Sequence, residues 1–526
     1  MKKFLLVSLA LSISYFSYST SITVNGIVAG NWNTDTVFVR GNLVIPQNEH
    51  LTINPGSLIL FQGFYRIDVY GSINAEGTLT DTIVFKPTDT TEFHDQIHGR
   101  GGWSGIRFRE LNSFQDSSIF TYCNFQYGKA TEDSLNSYGG AIMVYGFNKI
   151  RVSNCLFYHN YSYYSGGAIY LKEADIIIRN CTFHLNFSGN TEGVIYGYGG
   201  GICSMYSSAI IQWNKFIKNS STGVGGGVSF DNSNPKFDFN IMEGNFSGLG
   251  GALGVLRSSP VNTFANNLVV NNEAMFFGGG ICCIRSFPVF SNFTVTGNSS
   301  SYGGAFYCND SAAPKMYNSI MWGNLGIGQS VYIWDVFSAP NFYNCDIEGD
   351  TINFEGSGAH LGYHGEYLNN LNVDPQFYGS GNFPFMLISN SLCIDSGTHD
   401  PSFLNLPPID LAGNIRVYNN RLDIGAYEFN GTTSTWAIKN DSLLIYPNPF
   451  IAGINIKIPQ NENYYEKLQL VIYNIEGKLV CQLDLKGDEI EWDGMNYRGL
   501  PVEPGLYALS LKIGNSIVST KIIKMK

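Results

Sequence analysis

Gly139-Gly140-Ala141-Ile142, followed by Phe157-x-x-Asn160, is the stretch on which the reading of this chain turns. The unit returns as Gly166-Gly167-Ala168-Ile169 with Phe183 and Asn186, as Gly199-Gly200-Gly201-Ile202 with Phe216 and Asn219, and as Gly225-Gly226-Gly227-Val228 with Met242 and Asn245. Three more follow: Gly250-Gly251-Ala252-Leu253 with Val269 and Asn272, Gly278-Gly279-Gly280-Ile281 with Val295 and Asn298, and Gly303-Gly304-Ala305-Phe306 with Met321 and Asn324. Self-similarity at a nearly fixed period marks a solenoid. The period is short, and runs such as Asp175-Ile176-Ile177-Ile178 alternate with Gly, Asn and Ser, which suits three short strands and three turns per coil. Helical solenoids need longer periods and an i, i+3, i+4 pattern, which is absent.

The expected fold is therefore all-β, a parallel β-helix whose coils pair at about 4.8 Å. In it Ile142, Ile169, Ile202, Val228, Leu253, Ile281 and Phe306 stack inside. The Gly pair suits a turn needing positive φ or close backbone approach, and Asn at a fixed coil position can form an amide ladder. The Gly-Gly and Asn positions read as architecture.

Paired GGA[ILV] and FxxN motifs resemble the repeats of polymorphic outer-membrane proteins, right-handed β-helices of bacterial surfaces, over residues 120 to 325. The resemblance implies a right-handed coil and a surface role. Members of that family end in an outer-membrane barrel, and the C-terminus here lacks the necessary run of alternating strands. Residues 22 to 110, with Leu51 to Phe61, Ile67 to Ile73 and Gly101 to Ile106, resemble the opening coils of secreted bacterial β-helix proteins. Residues 372 to 429, with Asp374-Pro375-Gln376-Phe377, Cys393 to Gly397 and Asp423 to Glu428, resemble their closing segment. Residues 20–430 are expected to form one right-handed β-helix, with the repeats at 139–325.

Both ends carry addresses. Lys2-Lys3, an apolar run from Phe4 to Phe16 and Ser17-Tyr18-Ser19 read as a secretory signal peptide over residues 1–19. No later stretch is long and apolar enough to span a membrane. Residues 431–441, rich in Thr, Ser and Gly, read as a linker. Residues 442–526 show alternating strands with turn punctuation, expected to form a small antiparallel β-sandwich. Tyr446-Pro447-Asn448-Pro449-Phe450, Trp492-Asp493-Gly494, Gly505-Leu506-Tyr507 and the final lysine-rich strand resemble, in this order, the type A sorting domain of the type IX secretion system. That resemblance assigns Pro447, Asn448, Pro449, Trp492, Gly494, Gly505 and Tyr507 to a sorting motif. It also implies the type IX machinery as partner, and the outer surface or surroundings of a Gram-negative bacterium as destination.

The formal net charge is −11 on 526 residues. The signal holds +2 and residues 442–526 are neutral, which leaves −13 for the segment between them. A nucleic-acid partner, which needs a basic stripe, is not expected. The acidic body reads first as solvated surface that keeps a secreted protein soluble, able to attract a divalent cation such as Ca²⁺ or a basic partner, and no cofactor is expected. Of the ten cysteines, Cys123, Cys155, Cys181 and Cys345 hold a coil position that Asn214, Asn240 and Asn267 fill elsewhere. Stacked side chains about 4.8 Å apart lie farther than the ~3.8 Å a disulfide's Cβ atoms prefer, so free core thiols are expected, with Cys283 and Cys308 the best-placed pair for a bridge.

Chemistry-bearing residues are sparse. Asp395, Asp410 and Asp423 are within reach of a general acid and base arrangement but match turn-capping positions. His94-x3-His98 and His360-x3-His364 have metal-ligand spacing in loop-like sequence, and no metal site is expected from them. Tyr158, Tyr161, Tyr163 and Tyr164 cluster after one coil turn and are the candidate binding residues, for sugar rings or a protein surface. The reading is a secreted or cell-surface, non-catalytic β-helix for adhesion or for binding extracellular polysaccharide or a host or cell-surface protein. The alternative is a secreted polysaccharide lyase or glycoside hydrolase of the pectin-lyase-like fold.

Overall fold

The computed structural model describes residues 20–109, 116–132, 134–190, 196–259, 263–417, 421–429, 444–446, 448, 450–457, 468–474, 478–484, 489–513 and 516–525. The signal-peptide and linker readings, and Pro447 and Pro449, lie outside them.

One coil shows the plan. Strand β1 (Ile142–Tyr145) follows the Gly-Gly unit, then come β2 (Ile150–Ser153), β3 (Leu156–Tyr158) and the two-residue β4 (Tyr161–Ser162). Every strand pairs in parallel with its counterpart one coil on, so β1 aligns Ile142 with Ile106 behind it and Ile169 ahead. The line continues through Ile202, Val228, Leu253, Ile281, Phe306 and Val331, all essentially buried. The seven expected inward residues thus form one column. Alternate side chains point to opposite faces of a strand, so one row fills the interior while its neighbours face out.

The motif phenylalanines form a second inward column. Phe85, Phe125, Phe157, Phe183 and Phe216 stack with ring centroids 4.7–4.9 Å apart, the spacing of the coils themselves. Trp103 opens this column against Phe61 and Phe85. Residues 21–109 belong to the same parallel stacks although they lack Gly-Gly units. At the far end Phe354 is buried, with Tyr363 and Tyr367 packed against the core.

The glycine pair divides its work. Gly166 has φ +69°, which a Cβ would strain, and a Cβ on Gly167 would stand 2.1 Å from the carbonyl oxygen of Gly200 in the next coil. The first glycine therefore supplies the turn and the second lets neighbouring coils approach.

Asn160, Asn186, Asn219, Asn245, Asn272, Asn298 and Asn324 form an unbroken ladder in which each Nδ2 donates to the Oδ1 of the next. The cysteine position carries a second, shorter ladder, Asn214 to Asn240 to Asn267, which Cys181 joins by donating its N–H to Asn214 Oδ1. All ten cysteines are free and buried, Cys283 and Cys308 included although they are in register.

Residues 372–429 run back along the outside of the stack as a strap. Asn344 and Asn318 accept from Thr398, Asn292 Nδ2 donates to the carbonyls of Asp423 and Gly425, and Asn266 Nδ2 donates to the Ile409 carbonyl. Leu411, Ala426 and Tyr427 of the strap bury Phe239, Leu268 and Val270 on the outer face of the stack.

The C-terminal region has its own core around Phe450, Trp492, Leu470, Ile472 and Leu509, enclosed by a three-stranded and a four-stranded antiparallel sheet. Among the described residues no helix is long and apolar enough to cross a membrane.

Candidate functional site

A parallel β-helix spends one side-chain row on its interior, so function falls to the rows facing out. The outward residue of each β1-type strand follows the inward one. In consecutive coils it is Arg107, Met143, Tyr170, Cys203, Ser229, Gly254, Cys282, Tyr307 and Tyr332. Small residues occupy the middle of this row and large ones its ends, which leaves two aromatic groups.

The first group contains part of the sequence-derived candidate set. Tyr164 stacks on Tyr138 at 5.1 Å and meets Tyr163 edge-on at 5.3 Å, while Tyr138 lies 4.5 Å from Tyr170. The other two candidates lie elsewhere. Tyr161, named among the candidate binding residues, is buried against Phe187, its hydroxyl donating to the Gly189 carbonyl at 3.2 Å. Tyr158 faces out from β3 beside His159 and His184, and burial pushes the His159 imidazole below its ordinary pKa. The four tyrosines therefore do not form one site, because β3 and β4 turn successive residues to different sides.

The second group, which sequence reading missed, centres on Phe277. Tyr302 lies 5.1 Å away, Tyr307 4.7 Å, Tyr332 5.8 Å and Trp334 5.2 Å. Tyr307 is buried, whereas Trp334 is 47% exposed, so an anchored layer carries a half-open ring. Met275, Phe276, Leu325 and Ile327 on adjoining strands are also exposed, and the Glu355–His360 pair at 2.9 Å borders Tyr332. Contiguous exposed apolar surface with a polar rim is the mark of an interaction surface. The signal was present in the sequence as an aromatic residue directly before a Gly-Gly start, at Phe277 and Tyr302, or four residues after one, at Tyr307, but it recurs in too few coils to be seen as a column.

Titratable groups elsewhere have structural partners. Asp410 accepts from the backbone N–H groups of Ala412, Asn414 and Glu428, and Asp423 from those of Asp395 and Phe429. Arg416, fully buried, donates to Glu428 at 2.8 Å and to Asn266. These acids cap turns and fasten the strap. Asp238, pushed up to about 6 by burial, lines a 290 Å³ cavity beside Lys236 and is the one carboxylate among its described lining residues. Glycoside hydrolysis by two carboxylates needs a second one there. His98 pairs with Asp95 and His360 with Glu355, and among the described residues no group of three or more His, Cys, Asp or Glu is placed to hold a metal ion.

The sorting residues that are described converge. Trp492 is buried between Phe450 and Tyr507, at 5.3 and 5.9 Å, and its Nε1 donates to the Met495 carbonyl. Asn448 clasps the last strand, donating to the Lys521 carbonyl and accepting from the Ile523 N–H. Gly494 has φ +72°, and Gly505 opens the strand that carries Tyr507.

Residues 104–288 match the family described as a right handed beta helix region, and residues 444–525 match the family described as a secretion system C-terminal sorting domain. The chain carries both domains. The β-helix is right-handed, as its repeats implied, and the sorting domain is of the type IX kind. No curated protein matches the chain. One similar solved structure is of PorZ, an essential bacterial surface component of the type-IX secretion system of Porphyromonas gingivalis, at 19% identity and TM-score 0.15 over 20% of this chain and 14% of that one. Another is of dimeric latent PorU from Porphyromonas gingivalis, at 23% identity and TM-score 0.14 over 16% of this chain and 9% of that one.

Proposed function

We propose that this protein is an extracellular, non-catalytic binding or adhesion β-helix. It is sent through the type IX machinery to the outer surface or surroundings of a Gram-negative cell, where its outward aromatic rows engage polysaccharide or a cell-surface protein. The observation that carries the reading is the pairing of a sorting domain with the half-exposed Phe277–Trp334 group. Trp and Tyr held by a buried second layer offer large contact area at low entropic cost, which is how both sugar rings and protein surfaces are recognised.

Binding is tested by affinity electrophoresis of the full chain through gels containing neutral or acidic polysaccharides, and by adhesion to whole cells. Trp334→Ser and Tyr302→Ser should remove retention or adhesion while leaving the melting temperature unchanged. Equal behaviour of wild type and both variants on every surface would sink this reading. Formation of reducing ends or unsaturated products during the same runs would instead favour the lyase or hydrolase.

A further inference from the structure

The turn residue that follows each β2-type strand has φ between 48° and 61° in nine successive coils: Tyr122, Asn154, Asn180, Trp213, Phe239, Asn266, Asn292, Asn318 and Asn344. Asn tolerates this left-handed conformation because its short amide bonds locally, whereas a bulky side chain is strained in it. From Asn266 to Asn344 the amides also do a job, since they hold the strap. Tyr122 at one end and Trp213 and Phe239 in mid-series replace the Asn, the latter two where the strap's hydrogen bonds to this column end. Their rings stack at 4.1 Å and 5°, and both line a 640 Å³ cleft with Lys215, Glu243 and Phe385. A strained position is retained where the side chain has work that the easier residue could not do.

The work is visible. The ammonium of Lys521, on the last strand of the C-terminal domain, stands 4.6 Å from the centre of the Trp213 ring. Around this contact Ile409, Ala412 and Gly413 of the strap face Leu506, Tyr507 and Thr520 of the C-terminal domain across one narrow seam. A Cβ on Gly413 would lie 3.8 Å from Lys521 Cε. Burial, and after it Lys215, push the Lys521 ammonium below its ordinary pKa, while Asp410 opposes them. We propose that the Trp213 cleft is the seat on which the β-helix holds its own sorting domain, with Lys521 lodged on the indole face. The address is then docked as well as tethered, and the strand carrying Tyr507 is presented to the machinery in a pose set by the body. This goes beyond export and binding, and neither depends on it.

The test uses the full chain and three variants. Trp213→Asn installs the residue that this column otherwise prefers, Lys521→Glu reverses the charge without touching the body, and Lys521→Arg keeps a cation for the ring. Small-angle scattering reads the maximum dimension, and limited proteolysis reads cleavage within residues 431–441. Trp213→Asn and Lys521→Glu should lengthen the particle and raise the cleavage rate about three-fold, the factor that a partly exposed cation–π contact amounts to, with Lys521→Arg close to wild type. Wild-type dimensions and rates in both disruptive variants overturn the proposal, as does a wild-type chain that already scatters as two tethered bodies. If Trp213→Asn lowers the melting temperature of the body, Lys521→Glu alone decides.

Discussion

Asn245 sits mid-ladder and makes four hydrogen bonds that no aliphatic residue can replace. Its Oδ1 accepts from the backbone N–H and the Nδ2 of Asn219, and its Nδ2 donates to the Phe216 carbonyl and to Asn272. Asn245→Leu leaves buried donors and acceptors without partners, at about 1–3 kcal/mol, read as a lowered denaturant midpoint. Wild-type unfolding in this variant would show the ladder to be dispensable. Arg107 is the opposite case. It is 1% exposed, its Nη1 donates to the carbonyls of Tyr138 and Gly139, and its Nε and Nη2 are buried without a partner. Burial pushes its pKa down to about 9, and Met143 and Tyr170 follow it in the same outward row. Arg107→Met should therefore leave stability unchanged or raise it by about 1 kcal/mol, because a poorly compensated buried charge is replaced by a side chain the row already accepts. A large loss would mean that the guanidinium has a bound partner. The ladder was legible because its residue repeats in phase; the cost of Arg107 was not, because Tyr138 and Gly139 reach it from a separate turn.

At the scale of the element, the strap is a short run of acids pressed against a sheet. Asp423 of the strap and Asp346 of the stack strand it covers are pushed up to about 6 by burial, and in the strap Asp410 is raised and Glu428 is held well above its ordinary value, with Arg416 the buried cation among them. Unfolded, such groups titrate near 3.9 and 4.3. From about pH 4 to 6 the folded strap and the Asp346 beneath it keep protons that the opened segment has lost, so the strap's stability falls as pH rises through that window. Amide exchange of Leu411 and Ile424, which donate to Ala426 and Cys393, should report an opening free energy about 1–2 kcal/mol lower at pH 7.5 than at pH 5. Asp346→Asn, which keeps an acceptor for the Val373 N–H, should shrink that difference. A pH-independent opening energy in wild type would refute the account. The sequence marked residues 372–429 as a unit, but their path depends on contacts such as Asn266 with Ile409, 143 residues apart. No local pattern encodes such a pairing.

For the whole molecule, the body and the C-terminal domain bury separate cores, the first running from Val28 to Phe354 and the second from Phe450 to Ile522. A chain ending at residue 429 should accordingly melt within about 2–4 °C of the full chain, since losing a few seam contacts amounts to no more than about 1 kcal/mol. In the native host it should remain in the periplasm. Surface protease accessibility of intact cells distinguishes the outcomes, and wild-type export of the truncated chain would remove the sorting role. The sequence by itself determined the solenoid, its period, its inward columns, the asparagine ladder and the C-terminal address. The first four follow from residue types recurring at fixed spacing, which in a coil that pairs only with its neighbours maps directly onto position, whereas the address follows from motifs that resemble a sorting domain in their order. Tertiary structure alone decided which tyrosines are buried, where the strap runs, that Phe277 gathers an aromatic group and that Trp213 meets Lys521. Those depend on outward side chains from different coils and on segments that return over long chain separations, where neither propensity nor periodicity constrains the partner.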